Sequence, residues 1–178
     1  MNVFEAIQKR KSIRKYKRIK PDLKYILASL DLAILAPSAG NTQEWRFILV
    51  EDEKIKEKLA EYAYNQEFIK EAPYVLVVCA DEDEIYNAYG KRGKERYMYM
   101  DCSFAAANFI LSLTALGLAS CIVAAFDDKK VSELLKLPEN IKPIFIIPIG
   151  YADEDPIRPE RKPLEAILFY NEYGKKLI

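Results

Sequence analysis

From Cys102 to Phe126 no charged side chain appears, and within Asp101 to Leu118 the apolar residues do not keep to one helical face. A helix that is apolar nearly all round is a buried helix. The run Ala105, Ala106, Ala107 lets neighbouring backbones come close, and Gly117 marks its end. A buried helix needs apolar layers around it, and the chain supplies them as strands. Trp45 to Val50 is one β-rich run. Tyr74 to Ala80 (YVLVVCA) is apolar on both faces, which predicts a central strand. Pro143 to Tyr151 (PIFIIPIGY) is the third buried strand, and Cys121 to Ala125 reads as a short one.

Helical periodicity fills in the rest. Asn2 followed by Glu5 resembles a capping box and opens a helix over 3–10. Leu23, Ile26, Leu27, Leu30, Ile34 and Leu35 keep the helical period after Pro21-Asp22, until Pro37, Ser38, Gly40 and Asn41 break it. Residues 53–63 and Asp127 to Leu135 are further helices; the polar, Tyr-rich stretch from Asp81 to Arg96 is ambiguous between helix and loop. No regular βαβ rhythm links these elements, and no GxGxxG or P-loop follows a strand, so a dinucleotide site of the Rossmann kind is not expected. The class is α+β, as one domain over residues 1–178, long enough to bury a core without metals or disulfides.

Composition then narrows the chemistry. The chain contains no histidine, which removes Ser-His-Asp and Cys-His nucleophiles and most catalytic zinc sites. An enzyme of this composition works through carboxylates, Lys, Tyr or Cys, or borrows its chemistry from a cofactor. Cys79, Cys102 and Cys121 are far apart in apolar surroundings, which predicts buried small hydrophobes in a reducing compartment. The N-terminus has no apolar signal core, and no apolar run reaches the roughly 18 to 20 residues of a membrane span, so a cytoplasmic location is expected. With Lys plus Arg at 27 and Asp plus Glu at 27, the whole chain carries no field that would favour nucleic acid.

The charge is nonetheless unevenly spread. Lys9, Arg10, Lys11, Arg14, Lys15, Lys17, Arg18 and Lys20 occur with no acid among them. Such a run is either a solvated face or a local anion site. Within it, Arg10-Lys11-Ser12-Ile13-Arg14 offers two guanidiniums, an ammonium and a hydroxyl suited to a dianionic phosphate. A second segment, Pro37-Ser38-Ala39-Gly40-Asn41-Thr42-Gln43-Glu44-Trp45, presents side chains that donate and accept, as the polar edge of a heterocycle requires. A third, Pro156 through Pro163, carries Arg158, Arg161 and Lys162 on a chain stiffened by proline. Taken singly, these are also what a basic helix end, an ordinary turn and a basic tail look like.

Their order and spacing resemble the nitroreductase family: R-[RK]-S-x-R near the N-terminus, P-S-x-x-N-x-Q before a strand, and G-Y…P…R-K-P-L near the C-terminus. The similarity runs from Phe4 to about Ala166 and takes in Ala105 to Asn108 and Leu116 to Cys121. The resemblance implies a nitroreductase-like fold with a central, mostly antiparallel sheet flanked by helices. It implies an intertwined homodimer with exchanged C-terminal tails and two FMN sites at the subunit interface. By analogy Arg10, Lys11, Ser12 and Arg14 hold the FMN phosphate and ribityl chain, and Arg161 and Lys162 close on the phosphate. Pro37, Ser38, Ala39 and Asn41 come from the other subunit to the ring, Gln43 supports that loop, and the backbone of Val123 and Ala124 faces the reactive nitrogen. The expected activity is hydride transfer from NAD(P)H through FMN to a small electron-poor acceptor, a nitroaromatic or quinone, by ping-pong turnover. Because the flavin carries the chemistry, the missing histidine costs nothing and no catalytic side chain is expected. A flavin-storing or redox-sensing protein, a flavin-fragmenting enzyme and a reductive dehalogenase are the alternatives. Three positions depart from the family pattern: Glu44 where proline is usual, Ala107 where Gln or Glu often precedes Asn108, and Ala124-Ala125 where a glycine is common. Glu44 is expected to set a negative charge beside the ring loop.

Overall fold

In the computed structural model, which describes residues 1–177, a four-stranded antiparallel sheet in the order β1-β2-β4-β3 carries helices on both faces. The strands are β1 (Trp45–Val50), β2 (Tyr74–Asp81), β3 (Ala119–Ser120) and β4 (Ile141–Gly150). The helices are α1 (Val3–Lys9), α2 (Leu23–Ala33), α3 (Glu53–Tyr62), α4 (Phe68–Glu71), α5 (Glu82–Arg92), α6 (Met98–Ala115), α7 (Asp128–Leu135) and α8 (Leu164–Ile167). The α+β class and the antiparallel sheet are as the sequence predicts.

Alternation along β2 decides the two layers. Tyr74, Leu76, Val78 and Ala80 point into a core built with α2 and α6, through Ile26, Ala33, Cys102, Ala105, Phe109 and Leu113. Val75, Val77 and Cys79 point the other way, onto Leu59 and Ala60 of α3, Ile69 of α4 and Val131 of α7. Each fully buried Leu, Ile, Val or Phe contributes about 1.5–3 kcal/mol, and α6 supplies Phe109 and Leu113 from one side only; against the expectation of burial all round, Tyr99, Met100 and Phe104 on its other side are exposed.

The boundaries differ from expectation at two places. The segment from Cys121 to Ala125 is not a strand. Pairing with β4 covers only Ala119 and Ser120, opposite Gly150 and Ile149, and resumes as a lone bridge between Val123 and Ile146. The register puts Cys121 opposite Pro148, which has no N–H to give, so the ladder breaks there. The stretch from Asp81 to Arg96, ambiguous in sequence, is helical. Asp81 accepts from the N–H groups of Asp83 and Glu84 and starts α5; Gly90 interrupts it with φ 59°, and a π-helical turn over Gly93–Tyr97 leads into α6. Smaller shifts occur elsewhere: α2 stops at Ala33, and β4 begins at Ile141 rather than Pro143, with a register slip between Val78 and Cys79 of β2 opposite that proline.

Candidate functional site

The basic segment after α1 is held by what lies on either side of its cations. The capping box is present: Asn2 accepts from Glu5 N at 3.0 Å and Glu5 accepts from Asn2 N at 3.2 Å, so α1 delivers Arg10 at a defined point. Beyond it Ile13 and Tyr16 are buried, the Ile13 N–H bonds Ser120 O at 3.1 Å, and the Tyr16 hydroxyl donates to Ile13 O at 2.6 Å. With those two side chains inward, Arg10, Lys11, Ser12 and Arg14 gather at the surface. The chain's far end returns to the same place. Asp153 N bonds Lys15 O at 2.9 Å, and the Pro-stiffened stretch then lies beside α1. Arg10, Lys11, Ser12 and Arg14 line one cavity of about 220 Å³ together with Pro156 to Pro159 and Arg161.

Arg158 does the joining. Its guanidinium donates to Gln8 O at 2.5 Å and to Arg10 O at 2.6 Å, at the carbonyl end of α1, where a cation is favoured. Sequence reasoning placed Lys162 with Arg161 on the phosphate, but among the residues lining this cavity Arg161 is present, Arg158 is present and Lys162 is not. The only sequence signal for Arg158 was its place in the same basic segment. Acids temper the cluster: Lys11 Nζ meets Asp155 at 2.5 Å and the Arg14 N–H meets Glu154 at 2.5 Å. Near the cluster, burial pushes the Cys121 thiol up, against the opposing pull of Arg14 and a bond to Ser12. The remainder of the basic run is ordinary solvated charge, with Lys15 near Asp153 at 3.5 Å and Lys20 on Glu51 at 2.8 Å.

The second segment is a tight loop whose backbone is strained. Gly40, Asn41 and Gln43 have φ of 54°, 60° and 53°. Outside glycine that conformation costs roughly 1–2 kcal/mol, and such outliers persist where the surroundings over-determine them. Here the surroundings are explicit. Ser38 O accepts from Asn41 N at 3.1 Å, Ser38 Oγ accepts from Gln43 N at 3.2 Å, and Ala39 N donates to Asp101 Oδ2 at 2.8 Å. A Cβ on Gly40 would lie 2.3 Å from the Tyr89 hydroxyl, so α5 rests directly on the loop. Pro37, Gly40, Asn41 and Gln43 are exposed, Ser38 and Ala39 half-buried. None of these residues lines the cation cavity.

Glu44 corrects the sequence reading. Its side chain is fully buried rather than beside the loop's open face, with Thr42 Oγ1 2.7 Å from its Oε2. Burial raises its pKa above the ordinary carboxylate range, and the neighbouring Asp101 raises it further. The carboxyl expected beside the ring loop therefore lies inside the fold, in surroundings that favour its neutral form. Of the residues expected at the reactive nitrogen, Val123 is buried and exchanges both backbone bonds with Ile146 at 2.9 Å, while Ala124 beside it is exposed.

A four-stranded antiparallel sheet between helical layers, with cations from both ends of the chain gathered on one side, defines an α+β protein with a candidate anion site. The NADPH:FMN oxidoreductase of Vibrio harveyi, solved in complex with NAD+, has this fold, with a TM-score of 0.90 and 24% identity, covering 98% of this chain and 79% of that one. The chain belongs to the nitroreductase family, whose family model matches residues 7–66 and 60–151. It is 30% identical to an NADH dehydrogenase of Thermus thermophilus over 192 residues, spanning 93% of this chain and 94% of the relative. It is 29% identical to an iodotyrosine deiodinase of Thermotoga neapolitana over 196 residues, spanning 96% and 98%. The protein is an oxidoreductase enzyme. Among the described residues no helix is long and apolar enough to cross a membrane.

Proposed function

We propose that the protein is an FMN-dependent NAD(P)H oxidoreductase that reduces small electron-poor acceptors, nitroaromatics or quinones, as a homodimer in the cytoplasm. One observation carries the reading. Arg10, Lys11, Ser12 and Arg14 from the N-terminal end share a cavity with Arg161 from the C-terminal end. That donor set fits a phosphate monoester: guanidinium forks, an ammonium and a hydroxyl, with no competing aromatic platform for an adenine. The acids on Lys11 and Arg14 N are exposed or half-buried and sit where a stronger dianion can replace them. FMN, when bound, supplies reversible hydride acceptance at its ring, which relieves the protein of acid–base catalysis.

The chain's own residues then bind and orient. The cation cavity anchors the phosphate, with Arg158 fixing the two chain ends and Lys162 alongside. The loop from Pro37 to Asn41, reaching from the partner subunit and supported by Gln43, meets the ring edge, and of Val123 and Ala124 the exposed Ala124 faces its reactive side, since both backbone groups of Val123 are taken by Ile146. The ring loop lines a different part of the surface from the cation cavity, which suits a site completed by two copies. Donor and acceptor use one ring face in turn, so turnover is ping-pong. A reductive dehalogenase is the second reading, favoured by the Thermotoga relative.

The purified protein is expected to be yellow and to release FMN, not FAD, on denaturation. NADH or NADPH should bleach it, and a quinone or nitroaromatic should restore the colour. A colourless protein that cannot be reconstituted overturns the reading. A flavin that no nicotinamide reduces points to a storage or sensing protein, and preferential turnover of a halogenated phenol points to the dehalogenase.

A further inference from the structure

Glu44 and Asp101 are both buried, at 0% and 4% relative exposure, and they come from different elements, the turn before β1 and the first stretch of α6. Among the described residues Glu44 Oε1 is a buried oxygen with no hydrogen-bond partner. Asp101 reaches the same turn from α6: its Oδ2 accepts the Ala39 N–H at 2.8 Å, and its nearby carboxyl favours the neutral form of Glu44. Two carboxylates cannot bond to each other, whereas a carboxylic acid and a carboxylate bond strongly. Leaving a buried oxygen unpartnered costs about 1–3 kcal/mol, so a proton between the two groups removes the anomaly.

We propose that Glu44 and Asp101 share one proton, and that this acid pair is a positioning device locking the Ser38–Gln43 loop in the form that meets the flavin. The proposal rests on the FMN reading above for its consequence, not for its geometry. The proton sits on Glu44 and is donated to Asp101; Asp101 in turn holds Ala39 N, and Glu44 Oε2 holds Thr42. Through these bonds the pair grips both ends of the strained turn at Gly40 and Asn41. The other groups facing it leave the proton no alternative destination. The Cys102 thiol on α6 and, behind it, Cys79 on β2 are kept neutral by burial. Tyr89 of α5 rests on Gly40. The nearest cation of β1, Arg46, is engaged by Asp81 at 3.2 Å and Glu84 at 2.7 Å.

The sign of the pH dependence follows. A carboxyl whose folded pKa is raised binds its proton more tightly in the fold, so the contribution is intact at low pH. It is lost as pH climbs from the ordinary value of 4.5 through the raised one, with the unfolding constant rising at most about tenfold per pH unit in that window. Above it two carboxylates face each other, the pair separates, and the loop loses its hold on the flavin.

The test compares wild type with Glu44→Gln, Asp101→Asn and Glu44→Leu, by thermal melts of the flavin-free protein and by FMN titration, each across a pH series at fixed salt. Titration of the FMN phosphate is common to all variants and cancels in the comparison. Wild type should lose stability and flavin affinity on raising the pH relative to Glu44→Gln, whose amide donates to Asp101 at every pH. Asp101→Asn should flatten the slope without abolishing it, because its amide donates to an ionised Glu44 while burial still favours the neutral acid. Glu44→Leu should bind FMN weakly throughout. Parallel profiles for wild type and Glu44→Gln overturn the proposal, as does a Glu44→Leu variant that binds like Glu44→Gln. If FMN binds none of the variants at any pH while the melts still diverge, the acid pair stands and the FMN reading falls.

Discussion

Arg10 and Arg161 sit 151 residues apart in the chain yet line the same cavity, each as a guanidinium with donors to spare. A charge-assisted contact to a phosphate contributes about 1.5–3 kcal/mol, so Arg10→Ala and Arg161→Ala should each raise the FMN dissociation constant by roughly 10- to 150-fold. Neither touches the ring, so single-turnover reduction of the flavin-saturated variants should change little; unchanged affinity would mean a merely solvated basic face. Gly40 makes a different kind of demand. Its φ of +54° and the Tyr89 hydroxyl 2.3 Å from where a Cβ would lie disfavour a side chain for two separate reasons. The conformation alone costs alanine about 1–2 kcal/mol, and the clash adds to it. Gly40→Ala should therefore lower the unfolding free energy by at least ~1 kcal/mol in denaturant titration and weaken flavin binding at the same time.

At the scale of elements, Asp81 ties several together. It ends β2, caps α5 through two N–H groups, accepts from Asn140 Nδ2 at 3.1 Å and pairs with Arg46 of β1 at 3.2 Å. Its side chain is mostly buried, so losing it strips a helix cap and leaves Arg46 and Asn140 short of an acceptor. Asp81→Ala should cost about 2 kcal/mol or more in chemical denaturation, the upper part of the range for a cap alone. Because α5 rests on Gly40 through Tyr89, hydrogen exchange should also rise across α5 and the ring loop. Protection confined to wild-type levels there would separate the cap from the loop.

The whole chain leaves apolar surface uncovered along α1, α2 and the tail. Phe4 is 74% exposed and Leu35 73%, and the C-terminal segment presents Leu164, Ile167, Tyr170 and Tyr173. Each large side chain that a partner buries contributes about 1.5–3 kcal/mol, which makes a second copy the economical cover for these faces. If tails are exchanged, deleting residues 166–178 should shift the protein from dimer to monomer in sedimentation and abolish its bound flavin together. A truncated protein that remains dimeric and yellow would remove the tail from the interface.

The sequence by itself determined what depends on local pattern. YVLVVCA has only the middle of a sheet, whereas the apolar run after Asp101 enters the layered core on one side and leaves Phe104 exposed on the other. The three basic or polar segments and their order identified the family, because each is a short run legible along the chain. What only the tertiary structure decided depends on partners distant in the chain. Cys121 to Ala125 has the alternation of a strand, but Pro148 opposite Cys121 breaks the ladder. Arg158 rather than Lys162 lines the cavity because the return of the chain past Lys15 aims its guanidinium at the end of α1. Glu44 looks like a surface charge until α6 brings Asp101 against it; burial and a second carboxyl then set its protonation, and neither is written near Glu44 in the chain.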